Sequence, residues 1–316
     1  MTAQPAPETR SRRGTVRVGD RVFSLATVIA GALILVILAA VAIFLISQSI
    51  PALVAKDGEM PNGEANFWVY VWPLAFGTLW AAFLALLIAT PLAIGIALFI
   101  THYAPRRIAQ LLSYAVDLLV AVPSVVYGLW GITFLGPWMQ PFFAWLVDHL
   151  GAIPLFAGPV SGTGKTMLTA AVVLAVMVIP IMTAICREIF VQTPKLHEEA
   201  ALAMGATRWE MIKMAVLPFS RSGIVSAIML GLGRALGETL AVAMVLSPAF
   251  VVKFALLQQT SPNTIAGNIA LQFPEAQNLN VNTLVATGLV LFAVTLVINM
   301  GARWIVGRRK DFSGAN

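Results

Sequence analysis

Three stretches carry side chains whose types and spacing could do chemistry. In LGLGRALGET, residues 230–239, Arg234 and Glu238 stand four residues apart inside an apolar run. On a helix that spacing puts guanidinium and carboxylate on one face, where they can neutralise each other. Gly233 and Gly237, at the same interval, would let a neighbouring helix approach closely. The pair either balances itself or forms an anion site in which the guanidinium fork meets an oxyanion and the glutamate holds it when empty. In AVPSVVYGLWG, residues 121–131, Pro123 interrupts a helix and frees backbone groups beside the hydroxyls of Ser124 and Tyr127. Such hydroxyls more often satisfy the backbone than meet a substrate, so they rank second as pathway candidates. The third stretch, GPVSGTGKT at 158–166, ends like a phosphate-cradling loop. Its spacing is wrong by one: the required first glycine is Pro159, which has no N–H to offer, and Gly158 comes one residue too early.

The elements that must position these groups follow from composition. Of 316 residues 59% are hydrophobic and 11% charged, and mean hydropathy is +0.86, against roughly 25% charged in an ordinary soluble domain. The expectation is an all-α integral membrane protein. Six apolar runs are long enough to cross about 30 Å of hydrocarbon, near 23–50, 73–100, 111–135, 167–189, 223–246 and 283–306. The first is too long for a signal-peptide core and no small-residue cleavage site follows it, so it reads as an anchor. The domain plan is a basic tail over 1–22, a permease domain over 23–306 and a second basic tail over 307–316. Cys186, the lone cysteine, reads as a small buried hydrophobe.

Of the 20 lysines and arginines, Arg234 lies within a span and Lys56, Lys165 and Lys253 fall on one side. The other sixteen are Arg10, Arg12, Arg13, Arg17, Arg21, Arg106, Arg107, Arg187, Lys195, Arg208, Lys213, Arg221, Arg303, Arg308, Arg309 and Lys310. The positive-inside rule places both termini in the cytoplasm and Lys165 outside, where ATP is not available. The 158–166 loop then reads as a flexible surface segment. The net charge of +6 reflects anchoring and not nucleic-acid binding, for no basic patch with interleaved aromatics occurs. Asp117 is expected in the first two turns of the third span, near the interface. Trp138, Phe142, Phe143 and Trp145 suit an interfacial belt or re-entrant helix on the outside, or a docking surface there.

The cytoplasmic loop of about 190–221 reads as a helical elbow. Thr193 caps a helix opening at Pro194 and ending near Gly205. Thr207 with Glu210 forms a capping box for a second helix, along which Met211, Met214 and Leu217 recur before Pro218. Two explanations suit such an elbow: a helix lying in the headgroups, or a knob gripped by a cytoplasmic partner.

Glu199-Ala200-Ala201, then Gly205, then Leu217-Pro218, resembles the EAA motif of ABC-importer permeases, except that Ala215 stands where isoleucine is usual. With 121–131 and 230–239 it looks like the permeases of Pst-type phosphate importers, and GDRVF before a long first span is similar to the PstC-like subunit. The resemblance implies a MetI-like fold of six transmembrane helices in the plasma membrane, with the elbow as coupling helix. It implies a homologous PstA-like permease, two copies of a PstB-like ATPase, and an extracytoplasmic PstS-like phosphate-binding protein as partners, besides membrane lipid and no nucleic acid. Glu199, Ala200, Ala201, Gly205, Leu217 and Pro218 would then serve ATPase coupling, and Arg234, Glu238, Ser124 and Tyr127 the substrate pathway. The chain would be no enzyme, with no metal or other cofactor of its own; ATP and Mg belong to the ATPase. The alternatives are a permease for sulfate or molybdate, and a stand-alone channel or secondary transporter, in which inverted repeats are expected.

Overall fold

The computed structural model describes residues 18–56 and 58–307. The tails expected over 1–22 and 307–316 lie largely outside the described residues, with Arg10, Arg12, Arg13, Arg17, Arg308, Arg309 and Lys310. The chain divides into two compact units, Met1–Ser47 and Gln48–Asn316. Residues 18–47 of the first belong to α1 (Val18–Leu53), uncharged after Arg21. Its hydroxyls back-bond within the helix, Thr27 Oγ1 to the Phe23 carbonyl at 2.9 Å and Ser47 Oγ to that of Phe44 at 2.9 Å, as an apolar environment demands.

Among the described residues four helices are long and apolar enough to cross a membrane, at Gly19–Leu53, Phe67–Tyr103, Met167–Val191 and Leu279–Trp304. Two bent pairs raise the number to six if each counts as one span. The second unit is built on α2 (Phe67–Leu98) and α6 (Met167–Val191). Ala81, Ala85, Ala89, Ala93 and Ala97, at helical intervals of four, are each no more than 1% exposed. They join core clusters with progressively later residues of α6: Ala81 with Ala170, Ala93 with Val178, Ala97 with Cys186 and Phe190. The two helices therefore run parallel, brought close by small side chains. Cys186 is fully buried, as expected of a small hydrophobe. Helix α10 (Arg221–Gly237) returns antiparallel to α6. A Cβ on Gly223 would meet Ile189, and one on Gly231 would stand 2.8 Å from Val178 Cγ1 and from Met182 Sδ.

The third and fifth spans depart from the expected outlines. The third is not a rod over 111–135. Helix α3 (Arg106–Val120) ends before Pro123, and α4 (Ser124–Trp130) continues through a π turn, Gly131–Leu135, into α5 (Gly136–Leu150). The axis turns by 95° between Arg106–Val120 and Ser124–Leu150. Asp117 accordingly lies near the end of α3, where Oδ1 is 3.5 Å from Arg187 Nη2 on α6. On α5 only Phe143 of the aromatic set is core; Trp138, Phe142 and Trp145 are exposed. The fifth span breaks after Gly237 and resumes as α11 (Leu240–Val245).

The elbow comprises α7 (Lys195–Ala203), α8 (Arg208–Met211), a π turn over Ile212–Val216 and α9 (Leu217–Phe219). Beyond α11, β1 (Ser247–Ala249) and β2 (Thr260–Pro262) pair in parallel and lead to α12 (Ile265–Gln272), then α13 (Leu279–Gly307). Residues 261–268 are wholly buried. Asn268 Nδ2 donates to Tyr70 Oη at 2.9 Å, Tyr70 Oη to Gln272 Oε1 at 3.0 Å, and the Ile265 amide to Thr78 Oγ1 at 2.9 Å.

Candidate functional site

Two interrupted helices meet at the candidate site. After its break at residues 121–123, α4 packs on α11, which itself begins after a break at 238–239. A Cβ on Gly128 would stand 2.9 Å from Ala241 Cα, and one on Gly131 would stand 2.9 Å from Val245 Cγ2. Ser124, Tyr127, Arg234 and Glu238 thus belong to two adjoining discontinuities.

The expectation that Arg234 and Glu238 share a helix face is corrected. Helix α10 ends at Gly237, and Glu238 takes extended backbone at φ −69°, ψ 129°. It is 7% exposed, and its Oε1 accepts from the Ala241 amide at 3.2 Å. That bond caps the first turn of α11, satisfying an amide that would otherwise be orphaned. Arg234 is exposed on the last turn of α10 and has no ion-pair partner among the described residues. A Cβ on Gly233 or Gly237 would meet none of the described residues within 4 Å, whereas Gly231 takes the close approach.

At the first break, Tyr127 Oη donates to the Leu119 carbonyl at 3.0 Å. The hydroxyl takes up an acceptor that Pro123 left without its helical N–H, the self-satisfying role expected of it. Tyr127 is buried and lies within electrostatic reach of Arg234. Ser124 is half-buried at the first position of α4, and its hydroxyl has no hydrogen-bond partner among the described residues.

In the elbow, Gly205 adopts φ +87°, the left-handed conformation that closes α7. Thr207 and Glu210 form the capping box: the Thr207 amide donates to Glu210 Oε2 at 2.8 Å and the Glu210 amide to Thr207 Oγ1 at 3.3 Å. The Thr207 amide and then the Thr207 hydroxyl, each donating to Glu210 Oε2 at 2.8 Å, hold the Glu210 carboxyl below its ordinary range. Three details differ from expectation. Helix α7 starts one residue later, with Pro194 as its N-cap, and Thr193 Oγ1 is buried without a partner among the described residues instead of capping it. The π turn shifts the stripe, so Met211, Ile212 and Val216 are buried, Leu217 is half-buried and Met214 is exposed. Glu199 and Ala200 are exposed while Ala201 is buried. Between α7 and the π turn lies a shallow groove of about 400 Å³ lined by His197, Ala200, Met204, Met214 and Phe219. Sequence spacing offered no signal for the tie from Glu198 Oε1 to His102 Nε2 at 3.7 Å, which joins α7 to the end of the second span.

The 158–166 loop is tied down and not the flexible segment expected. The Ser161 amide donates to the Leu257 carbonyl at 3.0 Å and the Lys165 amide to Thr163 Oγ1 at 3.4 Å. Gly164, at φ +72°, packs on the Gly136 backbone, which a Cβ would strike. The Ser161, Gly164 and Lys165 amides are thus engaged within the fold, and Gly164 serves packing.

Residues 89–311, well over half the chain, match the family described as binding-protein-dependent transport system inner membrane component. The chain belongs to that family. It is 43% identical over 309 residues to the phosphate transport system permease protein PstC 2 of Mycobacterium tuberculosis, covering 92% of this chain and 93% of the relative. It is 44% identical over 279 residues to phosphate transport system permease protein PstC of Mycobacterium leprae, at 85% and 87% coverage. The PstC of Mesorhizobium japonicum is 38% identical over 319 residues, at 96% of each chain. Among solved structures, a bacterial ABC transporter involved in import of the acidic polysaccharide alginate matches with TM-score 0.61 at 18% identity, covering 92% of this chain and 97% of that one. An inward-facing MetNI methionine ABC transporter matches with TM-score 0.51 at 18% identity, over 76% and 94%. These likenesses establish the MetI-type permease fold, the multi-pass membrane character, and a permease's place within an importer of several subunits.

Proposed function

We propose that this permease is the PstC-like subunit of an ATP-driven importer that moves inorganic phosphate into the cytoplasm. It pairs with a homologous PstA-like permease, two PstB-like ATPases that use ATP and Mg, and an extracytoplasmic PstS-like binding protein. Both termini face the cytoplasm, on the charge asymmetry of the loops, and the tails 1–22 and 307–316 flank a permease domain over 23–306. The chain has no nucleotide site or cofactor of its own. The observation that carries the reading is Arg234, an exposed guanidinium without an acidic partner among the described residues, at the mouth of a break in a span.

A charge facing hydrocarbon costs about 2.5–3.5 kcal/mol on insertion scales, so the Arg234 face belongs against a partner or a water-filled path. Gly233 and Gly237 leave room on that face. There the guanidinium fork takes two oxygens of a phosphate. The Ser124 hydroxyl is free to donate to a third oxygen. Tyr127, whose proton is engaged by Leu119, positions the break. Glu238 acts through α11, holding the resumed helix in register. Phosphate is drawn in by a single fixed charge and released when the halves of the pathway part. The elbow, through Glu199, Ala200, Ala201 and Gly205, docks on the ATPase and transmits its closure, with Leu217 and Pro218 leading into α10.

The test is uptake by the reconstituted complex of labelled phosphate against labelled sulfate and molybdate. Phosphate alone should enter in an ATP-dependent way, and Arg234→Gln should abolish uptake while the complex still assembles. Glu238→Gln keeps an oxygen for the Ala241 amide and should do less harm. Normal uptake by Arg234→Gln removes the pathway role, and sulfate uptake in place of phosphate reassigns the substrate.

A further inference from the structure

Helix α3 divides into three arcs of about 100° each, reckoned at 3.6 residues per turn. Ala109, Leu112, Ser113 and Val116 are buried or half-buried, on the side from which Asp117 reaches Arg187 of α6. Arg106, Arg107, Gln110, Tyr114 and Asp117 form an exposed polar arc. The third arc, Ile108, Leu111, Ala115, Leu118 and Leu119, is apolar and exposed, with Leu111 at 69% and Leu118 at 71%. A helix wholly inside a protein leaves no apolar arc open, and one that spans a bilayer has no continuous polar arc; α3 has an open apolar arc and an open polar arc. An apolar and a polar arc side by side, both open, is the pattern of a helix lying in the plane of a membrane surface.

The angle agrees. Helix α3 stands at 95° to Ser124–Leu150, so when that helix crosses the bilayer, α3 lies along its surface. The level agrees too, because Arg187 is four residues from the end of α6 at Val191, just before the elbow. The charge supplies the occupant. Arg106 and Arg107 are exposed and adjacent, with no ion-pair partner among the described residues, while Asp117, the acid of this arc, is engaged by Arg187. Tyr114, on the same arc, is the kind of residue that settles at headgroup level.

We propose that α3 is an interfacial helix embedded in the leaflet on the elbow side, with Arg106 and Arg107 holding the phosphates of anionic lipid headgroups. It fixes the base of the Pro123 break, and with it the root of α4, at a set depth. This is a lipid contact of the permease itself and does not depend on which solute is carried.

The test uses the full complex in phosphatidylcholine vesicles with or without phosphatidylglycerol. With Cys186→Ala as background, single cysteines at Leu111, Leu118, Gln110 and Tyr114 carry a fluorophore, quenched either by shallow spin-labelled lipid or by aqueous iodide. Lipid quenching should dominate at Leu111 and Leu118, and iodide at Gln110 and Tyr114. Separately, native mass spectrometry reads retained lipid. The Arg106→Gln/Arg107→Gln double variant should lose preference for phosphatidylglycerol by up to about thirty-fold, the figure for two cations near a charged surface, and the corresponding double lysine variant should keep it. Iodide reaching Leu111 and Leu118, or neither quencher reaching them because another subunit covers the arc, overturns the proposal. So does an unchanged lipid preference in the glutamine double variant.

Discussion

Gly128→Ala adds one methyl group where α4 crosses α11. Its Cβ would stand 2.9 Å from Ala241 Cα and 3.1 Å from Met244 Sδ, against about 3.5–4.0 Å for carbon atoms at their optimum. Met244 can rotate away, but Ala241 Cα is backbone, so the helices must part by about 0.6–1 Å. Overpacking of this kind costs about 1–3 kcal/mol, or about five- to 150-fold in the equilibrium between packed and parted helices. A second consequence is local. The Ala241 amide is the one that Glu238 caps at 3.2 Å, and displacing it by that much carries the bond beyond reach, freeing the start of α11. The purified permease should therefore melt earlier than wild type, and a cysteine at Thr239 should label faster. Gly233→Ala is the control, since none of the described residues lies within 4 Å of its added methyl. Melting and labelling of Gly128→Ala indistinguishable from that control would refute the idea that α4 and α11 are held by contact at this glycine.

Gly205→Ala places a Cβ on a residue at φ +87°, at about 1–2 kcal/mol for the left-handed conformation; in the proposed reading ATP hydrolysis by the complex should then outrun uptake, as it should in Glu199→Lys, and unchanged coupling in both would remove the elbow's assignment. The Glu210 carboxyl is held low by the Thr207 amide and hydroxyl, so its contribution to α8 is present above the unfolded glutamate range and is lost as pH falls through the lowered value; hydrogen exchange at the Glu210 amide should quicken over that acid window, and Thr207→Ala, which removes the hydroxyl and keeps the amide, should weaken the pH response. Lys165→Ala should leave ATP labelling of the isolated chain at background and uptake near wild type; loss of uptake would show that the loop carries more than packing.

Much of the fold was legible because bilayers demand long apolar runs, and the four straight helices fall where hydropathy alone places them. The interruptions were less legible. Pro123 announced the first, yet the run over 111–135 hid that α3 is amphipathic, because its apolar arcs, one facing α6 and one open, together keep hydropathy high. Nothing announced the second break. Helix spacing between Arg234 and Glu238 presupposes a helix, and the chain leaves the helix at Glu238 because a cap on Ala241 and the packing of Gly128 on α11 reward it. The packing joins residues distant in sequence, and the cap, though only three residues long, exists only once the helix has already broken at Glu238. The capping box and Gly205 were readable because caps are local. The π turn at Ile212–Val216 was not, and it exchanged Met214 and Leu217 for Ile212 and Val216 in the buried stripe.

Broken backbone at membrane depth persists only where its polar groups find other partners, and the two breaks do this in ways that leave different residues free. At the first, the Ala121 and Val122 amides bond to Leu118 and Leu119, and Tyr127 reaches the Leu119 carbonyl, so that Ser124 is left with a free hydroxyl. At the second, Glu238 turns inward to cap α11, and Arg234 has no ion-pair partner among the described residues. The Glu238 carboxylate serves the Ala241 amide and not the guanidinium, so satisfying the backbone goes together with leaving the cation available. Arg234 also stands on the same rigid helix that begins at Arg221, beside the elbow, with Gly223 against Ile189 and Gly231 against Met182. At about 1.5 Å per residue, the 17 residues of α10 make a lever of about 25 Å without an internal break. In the proposed reading, a displacement of the elbow would arrive at Arg234 as a displacement of the charge, while α11, held by its own cap and by α4, need not follow.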